Sequence, residues 1–314
     1  MKKILYILTA VSFALLSVSC TQKDAMESES IIKDSAIEQN DFDKWLELNM
    51  LRPYNIEFKY RFALNESDRG FYTVPASVEG AVIYAHLVKY LCIDSYDEVA
   101  GVHFTRGYFP KMFFLIGEWE YKNNGQFVLG TAEGGKKIML AGVNYLPLVF
   151  QRLSGDELGE HLNHYYIKTI HHEFTHILNQ VKAYTDDFMN VTPSTYVSDA
   201  WSDTDNYYRG RGYITDYAQS EHREDFAELL SEYIVHSPEW WEAQLQQANS
   251  ETAQVRKENP DAPNGREVIE TKIEIVRNYM SESWGIDIDV LRDVIGRRLN
   301  DVEAGKVDLN TVAI

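Results

Sequence analysis

Ile170-His171-His172-Glu173-Phe174-Thr175-His176-Ile177-Leu178 is the stretch whose reading decides the fold. Around it, Leu162, Tyr166, Ile170, Phe174, Ile177 and Val181 recur at three- and four-residue spacing. That period predicts one amphipathic helix with its apolar face buried. Positions four apart differ by about 40° around a helix axis, so His172 and His176 project together from adjacent turns. Two imidazoles so placed can hold one zinc ion. Glu173 borders the same opening and can serve as a general base there. His171, five residues from His176, points to another side. The bland alternative, a solvated helical face with two histidines, fits poorly inside a mostly buried helix.

A hydrolytic zinc site needs a third protein ligand and an open position for water. The metzincin pattern would place a Gly and then a His soon after the motif. Ile177-Leu178-Asn179-Gln180-Val181-Lys182 has neither, which excludes that class. The best supplier is the second strong helix, Glu221 to His236, with Ala227, Leu230 and Ile234 on its inner side. In it, Glu224 and Glu228 are four apart and share a face. One carboxylate can ligate the metal while the other accepts the free N–H of a ligand histidine.

Working outward, Ser154 to Glu157 matches a helix capping box, and Gly159 is a candidate kink. Upstream, Ile56 to Phe62 alternates like a half-buried strand, and Pro75 to Ile93 reads as a helix. Met112 to Ile116 is a buried strand. Gln126 to Leu129 and Lys136 to Leu140 form a predicted hairpin around Thr131-Ala132-Glu133-Gly134-Gly135. Residues 183–216 lack periodicity and carry Trp201, Tyr207, Tyr208, Arg209 and Arg211; loops that long inside a domain are usually functional or disordered. After Trp241 the chain is polar to about Gly265, followed by amphipathic helices near 266–283 and 287–300.

The N-terminus carries a different message. Lys2 and Lys3, the apolar run Ile4 to Leu16, and small residues before Cys20 make a secretory signal peptide. Residues 21–42 are polar and acidic, a flexible tether of about 25 Å root-mean-square span. The domain plan is thus signal peptide 1–20, tether 21–42, catalytic domain 43–245 and helical extension 246–314. Cys92, the other cysteine, reads as a small buried hydrophobe. The metal ligands must therefore be nitrogen and oxygen. Thirty basic against 48 acidic residues give a net charge of −18 among 314 residues. Without Lys2 and Lys3 the balance is 28 against 48, or −20. Such a charge repels nucleic acid and anionic lipid surfaces.

Several of these segments resemble known families. HExxH followed by a helical Glu-x-x-x-Glu is similar to the gluzincins, which implies Glu224 as zinc ligand and Glu228 behind a histidine. Thr215-Asp216-Tyr217 ahead of Glu224-Asp225-Phe226-Ala227-Glu228 resembles the lethal-factor-like metalloproteases, with Tyr217 seven residues before the ligand glutamate as an oxyanion stabiliser. Leu16-Ser17-Val18-Ser19-Cys20 resembles the lipobox of bacterial lipoproteins, which implies acylation at Cys20. With the acidic tether, the whole chain looks like zinc metallohydrolase lipoproteins associated with TonB-dependent outer-membrane import. The resemblance implies an α+β, zincin-like fold with a small mixed sheet, one zinc ion, and peptide or protein substrates. It also implies an outer-membrane lipoprotein, surface-exposed or on the periplasmic face, and Lys136 to Leu140 as the edge strand that pairs with substrate. Two other readings stay open: a non-catalytic accessory lipoprotein binding cargo for an importer, and a hydrolase of a non-peptide amide or glycopeptide.

Overall fold

The structure is a computed structural model and describes residues 38–63, 65–66, 73–121, 127–128, 130–133, 137–203 and 207–313. The signal peptide, Cys20 and nearly all of the tether lie outside the described residues. Residues 40–314 form one compact unit. Among the described residues no helix is long and apolar enough to cross a membrane.

Helix α1 (Asp41–Leu46) starts at Asn40, whose side chain accepts from Asp43 N while Asp43 accepts from the Asn40 N–H. It continues through a π turn, Glu47–Leu51, and Arg52–Tyr54. Strand β1 is only Glu57–Lys59. The expected strand to Phe62 stops because the next residues turn back to α1: Tyr60 Oη donates to Asp43 and Arg61 grips the same carboxylate bidentately at 2.6 and 2.7 Å. The predicted helix at Pro75 begins later, at α2 (Val78–Leu87), where Ser77 Oγ accepts from Gly80 N. It then runs past Ile93 through a π turn, Val88–Ile93, into α3 (Asp94–Ala100), with α4 (Val102–Tyr108) following Gly101.

The remaining strands are β2 (Met112–Leu115), β3 (Glu120–Tyr121), β4 (Phe127–Val128), β5 (Gly130–Glu133) and β6 (Lys137–Leu140). The main sheet has the order β1-β2-β6-β5. Its first three strands are parallel, with Phe58 beside Phe113 and Phe113 beside Ile138; β5 runs antiparallel to β6. The predicted hairpin is therefore corrected in two ways. Of the strand expected at Gln126 to Leu129, the described part, β4, pairs with β3, and the partner of β6 is β5. Lys136 to Leu140 also loses its role as the edge, since β6 lies inside the sheet and β5 closes that side. Alternation along β2 and β6 sends Phe113, Leu115, Ile138 and Leu140 into the main core, and Phe114, Ile116 and Met139 into a smaller cluster on the opposite face.

After α5 (Leu146–Arg152), helix α6 (Gly155–Leu162) passes through a π turn, Asn163–Ile167, into α7 (Lys168–Val181). Ser154 is the N-cap, but its side chain makes no capping hydrogen bond, so the expected capping box is not formed. Gly159 does not break the helix. A side chain there would meet Glu303 Oε1 at 1.7 Å, so its smallness serves close packing. Val181 leaves the buried face at 55% exposure because α7 ends there. The irregular segment holds α8 (Asp187–Val191) and three short 3-10 turns, Ser198–Asp203, Arg209–Arg211 and Tyr217–Gln219.

Helix α9 (His222–Val235) packs along α7 and is buried on nearly all sides from Asp225 onward. The polar stretch after Trp241 is helical: α10 (Pro238–Glu258) is capped by Ser237 with Pro238 at its first position. Its sparse apolar row, Trp241, Leu245 and Ala248, is what made it hard to see. It runs through residue 245. Helices α11 (Gly265–Trp284) and α12 (Ile288–Glu303) match the two expected amphipathic segments and feed Ile269, Ile273, Leu291 and Ile295 into the main core.

Candidate metal centre

Helix α7 presents His172 and His176 on the side where α9 brings Glu224. His172 Nε2 lies 3.1 Å from His176 Nε2 and 3.0 Å from Glu224 Oε2, and His176 Nε2 lies 3.3 Å from the same oxygen. Three donor atoms thus form a nearly equilateral triangle. Ligands bound tetrahedrally at about 2.0–2.1 Å stand about 3.3 Å apart, so the triangle fits a zinc ion above its plane. Among the described residues this is the one group of three or more potential ligands converging in this way.

The charges agree with the geometry. Burial alone would pull the pKa of His172 down, but the adjacent carboxylates of Glu224 and Glu228 carry it up to about 10. Burial would raise the Glu224 carboxyl, yet His172 and His176 hold it well below the usual range. Two imidazoles facing one carboxylate thus favour positive charge at their common point, which the chemistry of a divalent cation meets.

The other edge of His172 faces Glu228. Nδ1 lies 2.8 Å from Glu228 Oε1, off the straight hydrogen-bond line, so proximity rather than ideal alignment defines this contact. Glu228 Oε2 accepts from Lys168 Nζ at 3.0 Å and from Thr215 Oγ1 at 2.8 Å. Burial pushes this carboxyl up, and Lys168 with His172 outweighs it, leaving Glu228 ionised. His171 points the opposite way, fully buried, with Tyr96 Oη 3.3 Å from its Nδ1 and Cys92 Sγ 3.8 Å from its Nε2. Burial pushes the His171 pKa down to about 3, so it stays neutral. Cys92 is buried and free.

Glu173 is half-buried, and its charge raises the pKa of both His172 and Tyr217. The Tyr217 ring stands 6.3 Å from that of His172, packs edge-on to Trp201 at 5.2 Å, and is 36% exposed. Burial, then the nearby Glu224, Glu228 and Glu173, pushes its hydroxyl pKa well above the ordinary value, so it remains a donor. The 3-10 turn beneath it is capped twice: Asp216 Oδ1 accepts from Tyr217 N, and Thr215 Oγ1 accepts from Ala218 N.

Residues that periodicity did not single out hold this loop. Asp225 and Lys272 form a buried ion pair at 2.6 Å; Lys272 Nζ also donates to Gly212 O at 2.9 Å, and Tyr196 Oη donates to Asp225 at 2.8 Å. Lys168 was detectable in principle, as a charged residue four before His172 on an inward-facing row. Lys272 had no local signal, because its partner comes from a helix 47 residues away.

All six residues read from the sequence as metal, catalytic or outer residues, His172, Glu173, His176, Tyr217, Glu224 and Glu228, are therefore neighbours; Cys20 lies outside the described residues. Comparison with curated proteins gives no match. The crystal structure of "a putative zinc-binding metallo-peptidase from Bacteroides caccae" is similar with a TM-score of 0.70 and 35% identity, covering 90% of this chain and 100% of that one. Residues 35–289 match the family model described as "Putative zinc-binding metallo-peptidase", and the chain belongs to that family.

Proposed function

We propose that the protein is a zinc-dependent peptidase of zincin-like, gluzincin type, exported and lipid-anchored through Cys20 at the outer membrane. The observation that carries the reading is the triangle of His172, His176 and Glu224 donors at 3.0–3.3 Å, with Glu173 and Tyr217 at its rim. A zinc ion bound there supplies a Lewis acid that polarises the scissile carbonyl and acidifies a water molecule. Glu173 takes the proton of the attacking water and returns it to the leaving nitrogen. Tyr217 donates its hydroxyl to the developing oxyanion, a contribution of about 3–4 kcal/mol for a well-placed donor. Strand β5, outermost among the described strands of its sheet and against α7, is the candidate edge for pairing with an extended peptide.

The lipobox and acidic tether support surface display beside a TonB-dependent importer, with peptide or protein as substrate. The net charge of −18 argues against nucleic acid as a partner.

Glu173→Gln should keep one zinc per chain and lose at least about 100-fold in hydrolysis of a peptide library. Tyr217→Phe should lose less, mostly in turnover. If Glu173→Gln cleaves as wild type does, Glu173 is not the base; if it supports the import phenotype as well as wild type does, catalysis is not the function and the accessory cargo-binding reading replaces it. Anchoring has its own test: wild type should fractionate with membranes and Cys20→Ser should become soluble, whereas membrane retention of Cys20→Ser would refute the lipid anchor.

A further inference from the structure

Behind the candidate ligands, α7 and α9 enclose a cluster of charges around Glu228, of which the hydrolytic reading leaves Lys168 and Glu232 without a role. Glu228 and Glu232 are four apart on α9, and their side chains are only 4% and 9% exposed. Two buried carboxylates one turn apart repel each other. Lys168 Nζ lies between them, 3.0 Å from Glu228 Oε2 and 3.1 Å from Glu232 Oε1. Lys168 is itself four residues before His172, so it reaches Glu228 from the turn directly beneath the imidazole. Thr215 Oγ1 donates to the same Oε2 at 2.8 Å. One oxygen of Glu228 is thus held from two sides, which fixes the carboxylate plane and leaves Oε1 for His172 Nδ1 at 2.8 Å. Thr215 Oγ1 also accepts from Ala218 N, so the turn bearing Tyr217 hangs from the same carboxylate.

We infer that Lys168 and Thr215 are positioning residues of the metal centre, clamping Glu228 so that it turns Nε2 of His172 toward the point shared with His176 and Glu224. This rests on the proposed assignment of those three residues as zinc ligands. A pair that merely glued α7 to α9 would contribute to stability without regard to Glu228. A clamp acts only through Glu228, and the two differ in their additivity.

The test measures zinc affinity by chelator competition, and the visible spectrum of the cobalt-substituted protein, on the folded full-length domain. Lys168→Met should weaken zinc binding about 10–100-fold, with partial rescue by Lys168→Arg. Placed in a Glu228→Gln background, Lys168→Met should add less than about twofold. Wild-type affinity in Lys168→Met, or the full single-mutant loss repeated in the Glu228→Gln background, overturns the inference. If Lys168→Met does not fold, Thr215→Val decides: one donor is lost at constant shape, and zinc should weaken about 2–10-fold with an altered cobalt spectrum. Unchanged affinity and spectrum in Thr215→Val overturn it. The ligand assignment fails separately, and takes the clamp with it, if His172→Ala binds zinc as tightly as wild type.

Discussion

Glu224 and Glu228 meet the same imidazole from opposite edges, one at Nε2 and the other at Nδ1. One helical turn separates them, yet their roles differ, because the carboxylate at Nε2 shares its oxygen with His176 while the one at Nδ1 shares with Lys168 and Thr215. Glu224→Ala should therefore lose most of the zinc. Glu228→Ala should retain a site weakened about 10–100-fold, since only the orientation of His172 suffers. Metal analysis after dialysis against a weak chelator measures both. An empty site in Glu228→Ala beside a full one in Glu224→Ala would mean that the two acids are exchanged. Spacing in the sequence was enough to put both glutamates on one face of a helix. It could not say which of them lies nearer the metal, since that depends on how α9 is translated along α7.

At the scale of elements, the two helices bearing the candidate ligands were legible because apolar residues recur at helical spacing, over about five turns from Leu162 to Val181 and about two from Ala227 to Ile234. The strands were less so. Short strands in a sheet buried on both faces have no polar face to set their period, and pairing partners are chosen across the chain. The hairpin thus went to β5 and β6, and the edge passed to β5. The loop before α9 shows how an irregular segment gains precision. Gly212 adopts φ of 92°, accepts at its carbonyl from Lys272 Nζ, and leaves no room for a side chain, since a Cβ would meet Val268 at 2.1 Å. Gly212→Ala should combine backbone strain with a clash against α11, and cost about 2–4 kcal/mol of stability. Urea unfolding reads this directly. A loss below about 0.5 kcal/mol would show that the loop adapts freely and is not held by α11.

Across the whole molecule, stability is tied to pH through a residue beside the proposed metal ligands that points away from them. Burial lowers the pKa of His171 to about 3 in the folded chain, against about 6.5 when unfolded. Between those values the unfolded chain holds a proton that the folded chain does not. Stability is thus complete above about pH 6.5 and falls as the pH drops toward 3, with a slope approaching about 1.4 kcal/mol per pH unit. His171→Leu should flatten that slope by close to one proton. Urea midpoints of both proteins at pH 7, 6, 5 and 4, with chelator present throughout, give the comparison. Parallel slopes would show that His171 is not buried as a neutral ring in solution.

Local periodicity and spacing, by themselves, determined the helices that carry the site, the convergence of His172 with His176, the turn of His171 away from that pair and the candidate pair Glu224 and Glu228. These depend on the pitch of one helix, which is a property of consecutive residues. Only the tertiary structure decided which carboxylate faces the metal side, which strand forms the edge, and that Lys168, Thr215 and Lys272 brace the centre. Those outcomes depend on distances between residues 13 to 60 apart in sequence, where the repulsion of buried charges and the demand for hydrogen-bond partners select the packing.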